Sequence, residues 1–345
     1  MENHHPNPFA GFFPGQGSQQ IGMGSAFYDE FTVFRQVIEE ASDSLNFNLK
    51  KLILEGPESD LTLTENAQPA ILAVSTGCFR VAEHELGLST AVNLGHSLGE
   101  YSALVASEAL PFAQAVRWVR ERGRSMQKAV PVGEGAMSAI LGAEDAQIEE
   151  WCREATSIAK KARPSSEKSW NVDCTVEPAN FNAPGQVVVS CSTDAVDALE
   201  KLIAEKKIRG VMAKRLNVSA PFHSSLMKPA RTTMEAIFKE SSGDLSDLAT
   251  PYLPNRTARI TQEKSVVFGL LAEQVDHSVL WKQSVETLLR QGYLKAFEFG
   301  PGKVLQGLAK RIVKNIEGVT FETYPIYDLE TLKAAESVWK TETQK

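Results

Sequence analysis

Cysteine is scarce in this chain of 345 residues: Cys78, Cys152, Cys174 and Cys191 are scattered, with no C-x-x-C. That spacing indicates neither a zinc site nor a disulfide framework, and it fits a reducing cytoplasm. Long apolar runs are lacking, and none reaches the roughly 18 residues of a membrane-spanning helix; no membrane partner is expected. The opening residues, Met1-Glu2-Asn3-His4-His5-Pro6, carry no basic segment followed by an apolar one, so no secretory signal is read there. Surplus positive charge is missing too. The formal charge is −7, which argues against nucleic acid as a general partner. Internal repeats and low-complexity tracts are absent. What remains, 43% hydrophobic and 23% charged residues, is the composition of a soluble globular protein, and the length predicts about two domains.

The most informative stretch is Val92-Asn93-Leu94-Gly95-His96-Ser97-Leu98-Gly99-Glu100. A short apolar run ends in Gly95, and Ser97 and Gly99 complete G-x-S-x-G where a helical pattern begins. Between a strand and a helix this pattern reads as a nucleophile elbow. The glycines remove side chains where the chain turns sharply, and the helix aims its first N–H groups at the serine hydroxyl. The plainer alternative is a strand-to-helix turn with a capping serine.

Residues 9–13 read as a short buried strand running into Pro14-Gly15-Gln16-Gly17-Ser18. Those glycines do not make a dinucleotide site, because the third glycine of G-x-G-x-x-G would fall at Gln20, and no Gly-Lys-Ser/Thr follows for a P-loop. Residues 25–55 read as helical, and Ala70 to Leu86 as an apolar helix led in by Thr64 to Pro69. His84-Glu85 starts like H-E-x-x-H, but position 88 is leucine, so no metal is expected there. Pro111 to Ala129 reads as an amphipathic helix with Phe112, Val116, Val119, Gly123 and Met126 along its stripe. Arg117, Arg120 and Arg124 fall on the solvent arc, whereas Arg122 lies between Ala115, Trp118 and Met126. A guanidinium beside an apolar face needs an acidic partner. That partner is either a carboxylate of the chain or one on a substrate, which arginine's planar fork matches.

After Pro131-Val132-Gly133 the pattern becomes strand (136–141), helix (144–161), strands (175–181 and 186–191), helix (193–206) and strand (210–218). This βαββαβ order predicts a ferredoxin-like unit inserted into the main domain. Asn180 to Gln186 read as the turn between its middle strands. The remainder returns to α/β character, with a strand at 296–299 and a final helix capped by Asp328. A serine nucleophile needs a base that titrates near neutrality, and the chain has six histidines. His4 and His5 are near the terminus, His84 is mid-helix, and His96 flanks the serine and should point away from it. His223, in Pro221-Phe222-His223 between a strand and a helix, and His277, in a cap-like Asp276-His277-Ser278, remain. A capping or surface histidine is the alternative for His223.

The ordered set Phe13-Pro14-Gly15-Gln16-Gly17-Ser18-Gln19, Gly95-His96-Ser97-Leu98-Gly99-Glu100-Tyr101, Arg122, Asn180 to Gln186, Pro221-Phe222-His223, Gln274 and Gly300-Pro301-Gly302-Lys303-Val304-Leu305 resembles the malonyl-CoA:acyl carrier protein transacylase family. The resemblance covers residues 8–325. It implies an α/β-hydrolase-like large domain (1–132 and 213–345) interrupted by a ferredoxin-like small domain (133–212). It implies a malonyl ester on Ser97, with His223 as base and then acid, and a Gln274 backbone carbonyl orienting His223. The oxyanion hole falls to the N–H groups of Gln16 and Leu98. Arg122 would pair with the malonyl carboxylate, Phe222 would narrow the pocket, and Asn182 would contact substrate. The expected partners are malonyl-CoA and acyl carrier protein, with no cofactor and no metal, in a cytoplasmic monomer serving fatty acid biosynthesis. A polyketide pathway and a serine thioesterase or hydrolase are the alternatives. One departure stands out: residues 157–173 are longer than the family pattern needs and basic, with Lys160, Lys161, Arg163 and Lys168. This segment is read either as a dock for the acidic carrier or as a solvated loop.

Overall fold

The computed structural model describes residues 9–163, 172–218, 220–314 and 316–343. Strand β1 (Phe9–Phe13) is followed by helices α1 (Ser25–Glu30), α2 (Thr32–Leu45), α3 (Leu49–Glu55), α4 (Glu58–Leu61) and α5 (Thr64–Leu86). Then come β2 (Val92–Gly95), α6 (Gly99–Ala106) and α7 (Phe112–Lys128). The middle section runs β3 (Gly135–Leu141), α8 (Asp145–Ala162), β4 (Glu177–Ala183), β5 (Gln186–Ser192), α9 (Thr193–Lys206) and β6 (Met212–Arg215). The last section holds α10 (Lys228–Glu240), α11 (Val267–Asp276), α12 (Trp281–Arg290), β7 (Lys295–Phe299), α13 (Val304–Val313), β8 (Glu322–Ile326) and α14 (Leu329–Thr343).

The elements make a mixed α/β molecule with two sheets. In the first, β2-β1-β7-β8 lie side by side and parallel. β1 is buried along its whole length, as a central parallel strand covered on both faces must be. Its register with β2 sets Phe13 beside Gly95, so the loops that leave the two strands emerge together. That pairing brings Gln16 and Ser97 to one end of the sheet. The second sheet is antiparallel, in the order β4-β5-β3-β6. Its own core joins Ile140, Val187 and Val189 to Ile148 and Trp151 of α8 and to Val196 and Leu199 of α9.

The second sheet is tied through β4 to the segment between α11 and α12. Asn180 of β4 forms a parallel bridge with Val279, whose N–H donates to the Ala179 carbonyl at 2.9 Å while its carbonyl accepts from Phe181 at 3.0 Å. This pairing explains a departure from expectation. Asn180 and Asn182 are strand residues, and the turn is confined to Pro184-Gly185. Polar turn signals lose to pairing on both sides of β4, with Val279 on one and β5 on the other. α5 likewise begins at Thr64, with Pro69 inside it, and not at Ala70. A proline near a helix start forfeits few intrahelical bonds, so burial of the following apolar run carries the helix back through it. β6 is shorter than the expected strand at 210–218. Asp328 caps α14 through the Thr331 N–H at 2.8 Å, and that helix continues to Thr343.

Candidate active site

Gly95 and Gly99 close the elbow. A Cβ at Gly99 would lie 2.0 Å from the Phe13 carbonyl oxygen, and one at Gly95 would lie 1.9 Å from that of Gly99. Only glycine lets α6 start against the end of β1. Ser97 takes the left-handed conformation (φ 52°), and His223 does the same (φ 58°). For non-glycine residues this costs of order 1–3 kcal/mol and persists where the surroundings impose it. Between them the geometry is direct. The Ser97 hydroxyl lies 2.7 Å from His223 Nε2, and His223 Nδ1 lies 2.8 Å from the Gln274 carbonyl oxygen. A carbonyl only accepts, so Nδ1 carries the proton and Nε2 is left to receive the serine's. Burial, and then the charge of Arg122, push the His223 pKa down from 6.5 to about 3. The imidazole is therefore a neutral base at physiological pH.

Arg122 is 1% exposed. Its Nη1 donates to Gln68 Oε1 at 2.8 Å, and its Nη2 donates to Gln274 Oε1 at 2.8 Å and to Ser97 Oγ at 3.1 Å. Among the described residues no carboxylate lies within ion-pair distance of it, although Glu100 acts on it through its charge, and its Nε has no partner. The structural ion pair that the sequence allowed for is thus not what holds this side chain. A buried cation whose direct hydrogen-bond partners are all neutral, with Glu100 acting on it only through its charge, is costly, and a paired counter-charge would face the serine. A cleft of about 430 Å³ opens there, lined by Gln16, Ser97, Arg122, Phe222 and His223 from the expected set.

Leu98 sits fully buried at the start of α6, and its N–H, like that of Gln16, is not taken by another group among the described residues. Asn182 does not line the cleft. It meets His96 Nε2 at 2.8 Å, and Asn180 is the β4 residue on the wall. His96 turns from the serine toward Asn182 yet still lines the cleft. His277 caps the end of α11, and His84 pairs with Glu85 on the surface.

A family model for the acyl transferase domain matches residues 12–263. The malonyl CoA-acyl carrier protein transacylase of Bacillus subtilis (strain 168) is 38% identical over 330 residues, 96% of this chain and 96% of its own. That of Escherichia coli K12 is 39% identical over 311 residues, 89% and 94% of the two chains. The chain belongs to the malonyl-CoA:acyl carrier protein transacylase family. Solved transacylases superpose closely. The acyl carrier protein S-malonyltransferase of Vibrio cholerae has a TM-score of 0.85 at 39% identity, covering 95% of this chain and 100% of that one. A malonyl transacylase in complex with its type II polyketide synthase acyl carrier protein gives 0.85 at 36%, covering 96% and 99%.

Some residues of this transacylase site carried no signal in the sequence. Gln68 lies in the first turns of α5, in a stretch that the sequence gives only as a lead-in, Asn255 follows Tyr252-Leu253-Pro254, and Met137 is one apolar strand residue among several. Asn255 is fully buried, and its Oδ1 accepts from the Ser97 N–H at 2.7 Å. Glu100, in the first turn of α6, is completely buried behind the serine, and burial pushes its pKa up to about 7.

Proposed function

We propose that this chain transfers malonyl from malonyl-CoA to the phosphopantetheine thiol of acyl carrier protein, through a malonyl ester on Ser97, in fatty acid biosynthesis. The observation that carries the reading is a buried guanidinium with no carboxylate of its own, 3.1 Å from a serine that is hydrogen-bonded to a neutral histidine. Ser97 Oγ attacks the thioester carbonyl while His223 Nε2 takes its proton. The tetrahedral oxyanion is held by the Gln16 and Leu98 N–H groups; the pairing of Phe13 with Gly95, from which the two loops leave the sheet together, supports this assignment. Collapse expels the coenzyme A thiolate, which His223 protonates. The carrier's thiol then repeats these steps in reverse, giving ping-pong kinetics. A carbonyl behind His223 in place of a carboxylate stabilises imidazolium less, which suits exchange between thioesters of nearly equal energy.

Arg122 pairs with the free carboxylate of the malonyl group. One charge-assisted pair is worth about 1.5–3 kcal/mol, enough to favour malonyl over acetyl by tens-fold. Phe222 bounds the same cleft and narrows it against branched acyl chains. Asn182 contributes through its hold on His96. We read the chain on either side of residues 133–212 as α/β-hydrolase-like and the insertion as ferredoxin-like. The strand order β4-β5-β3-β6 supports the second part of that reading, with β6 carrying the sheet on to Arg215. Four free, buried cysteines suit the cytoplasm as its place of action.

Intact-mass measurement after mixing with malonyl-CoA is the test. The expected result is a gain of one malonyl group, abolished in Ser97→Ala. In Arg122→Ala, malonyl loading weakens while acetyl loading is spared or improves. Equal loss of both acyl groups would make Arg122 structural, and release of free malonate faster than carrier loading would make the protein a hydrolase.

A further inference from the structure

Behind the serine lies a polar network in which every member is completely buried: Glu100, Asn255 and Gln274. Gln274 is its hub. Its side-chain Nε2 donates to the Ser97 carbonyl at 2.8 Å and to Glu100 Oε2 at 2.7 Å, with Asn255 Oδ1 a longer third acceptor at 3.3 Å. Its Oε1 accepts from Arg122 Nη2 at 2.8 Å, and its main-chain carbonyl faces His223 Nδ1. Glu100 Oε2 also accepts from the Asn255 N–H at 3.1 Å, and Asn255 in turn grips the elbow through the Ser97 N–H and, at 2.6 Å, the Gly95 carbonyl.

An amide side chain has two ends of opposite character and nearly equal shape, so something must choose its orientation. Here the choice follows from what surrounds each end. If the Gln274 amide flipped, its oxygen would confront both the Ser97 carbonyl and Glu100 Oε2, and its NH₂ would confront the Arg122 guanidinium. The two donors that converge on Glu100 meet the same oxygen, Oε2, which accepts from both whether the carboxyl is ionised or holds its proton on the unpartnered Oε1, and so it holds the amide's Nε2 end in place. The Oε1 end is thereby held against Arg122, the group that reads the acyl carboxylate.

We propose that Glu100 is a positioning residue that sets acyl specificity: it locks the Gln274 amide, and the locked amide aims Arg122 at the acyl pocket. This rests on the reading of Arg122 given above. Glu100 touches no substrate, and its effect passes through a neighbour. It therefore belongs to the preference for carboxylated acyl groups and not to the attack of Ser97 itself.

The experiment compares single-turnover loading of Ser97 by malonyl-CoA and by acetyl-CoA, read by intact mass, in wild type, Glu100→Ala, Glu100→Gln and Arg122→Ala. The expected result is a malonyl-to-acetyl ratio lowered about tenfold in Glu100→Ala, a fraction of one charge-assisted hydrogen bond. Glu100→Gln keeps an acceptor oxygen for Gln274 and should hold the ratio within about twofold. In the Arg122→Ala background, Glu100→Ala should change the ratio no further, because the two act through one contact. If Glu100→Ala slows both acyl groups equally, or lowers the ratio by the same factor without Arg122, the proposal is wrong. If Arg122→Ala itself leaves the ratio unchanged, the reading of Arg122 fails first. Should Glu100→Ala not fold, Gln274→Met keeps the carbonyl that faces His223 and removes the amide; it should lower the ratio in the same way.

Discussion

The two largest influences that keep His223 neutral can be separated: burial, and the positive charge of Arg122. Its folded pKa, about 3, lies below the ordinary 6.5, so the acid limb of kcat/KM for Ser97 acylation should fall well below pH 6.5 in the wild-type protein. Removing the cation in Arg122→Ala lifts one of the two depressions, and the limb should move up toward 6.5. A wild-type limb already at 6.5 would contradict this account of the base. Glu100 titrates in the opposite sense. Its folded pKa of about 7 exceeds the ordinary 4.5, so its burial favours folding below pH 4.5, and that contribution is lost as pH rises to 7. His223 contributes the reverse, because the unfolded imidazole takes a proton below 6.5 that the folded one refuses; its share of stability is lost as pH falls from 6.5 toward 3. Glu100→Gln removes only the first dependence. Chemical denaturation should therefore show the variant gaining on wild type as pH rises from 4.5 to 7, and a constant difference would mean that Glu100 does not titrate in that window.

The strand-turn-helix of the elbow is the element on which the site depends, and its contacts make it intolerant of even one methyl group. In Gly99→Ala the new Cβ would meet the Phe13 carbonyl at 2.0 Å, and a backbone carbonyl cannot rotate aside as a side chain can. Overpacking of this kind costs about 1–3 kcal/mol. The expected outcome is a lowered Tm together with near-complete loss of acyl loading, because α6 must back away from β1 and take the Leu98 N–H with it. Loading at the wild-type rate would show that the close approach is dispensable. This element was legible from the chain because glycine spacing and an apolar run are local signals. So was the stripe of α7, with Arg122 as the charge that did not fit it. The helix start at Thr64 and the true extent of β4 were not, because each depends on a partner distant in sequence. Gln68, Asn255 and the burial of Glu100 were hidden for the same reason: an isolated amide or carboxylate looks like surface until the fold closes over it. The basic segment before Cys174 divides. Lys168 lies outside the described residues. Arg163 grips Asp194 at 2.9 Å with both carboxylate oxygens engaged, and it donates to Ser192 Oγ and to the Val172 carbonyl. Arg163→Ala should therefore destabilise the joint between α8 and α9 by about 1–2 kcal/mol, above the usual range for an exposed pair because the fork is bidentate. Carrier KM should hold. A raised carrier KM with unchanged Tm would instead favour a docking role for this arginine.

At the scale of the whole molecule, the cleft belongs to both sheets. Ser97 follows β2 of the first sheet, while Met137 on β3 and Asn180 on β4 bring the second sheet to the same wall. The separation of those walls must hold steady for a small acyl group to meet serine, histidine and arginine together. The parallel bridge between Asn180 and Val279 supplies that constraint, helped by the Ser278 hydroxyl donating to the Pro178 carbonyl at 2.6 Å. The same few residues lie directly after Gln274 and Asp276, so the segment that orients His223 also anchors the opposite wall. Val279→Pro tests this, because proline removes the N–H that donates to the Ala179 carbonyl. Leaving a buried carbonyl unpaired costs about 1–3 kcal/mol, and the Tm should fall accordingly. The catalytic prediction is more specific. With β4 loosened, KM for malonyl-CoA should rise while the malonyl-to-acetyl ratio stays near the wild-type value, since Arg122 and Gln274 lie on α7 and α11 and not on the second sheet. A collapse of that ratio in Val279→Pro would mean that selectivity depends on the spacing of the two sheets, and that the buried network behind Ser97 does not set it alone.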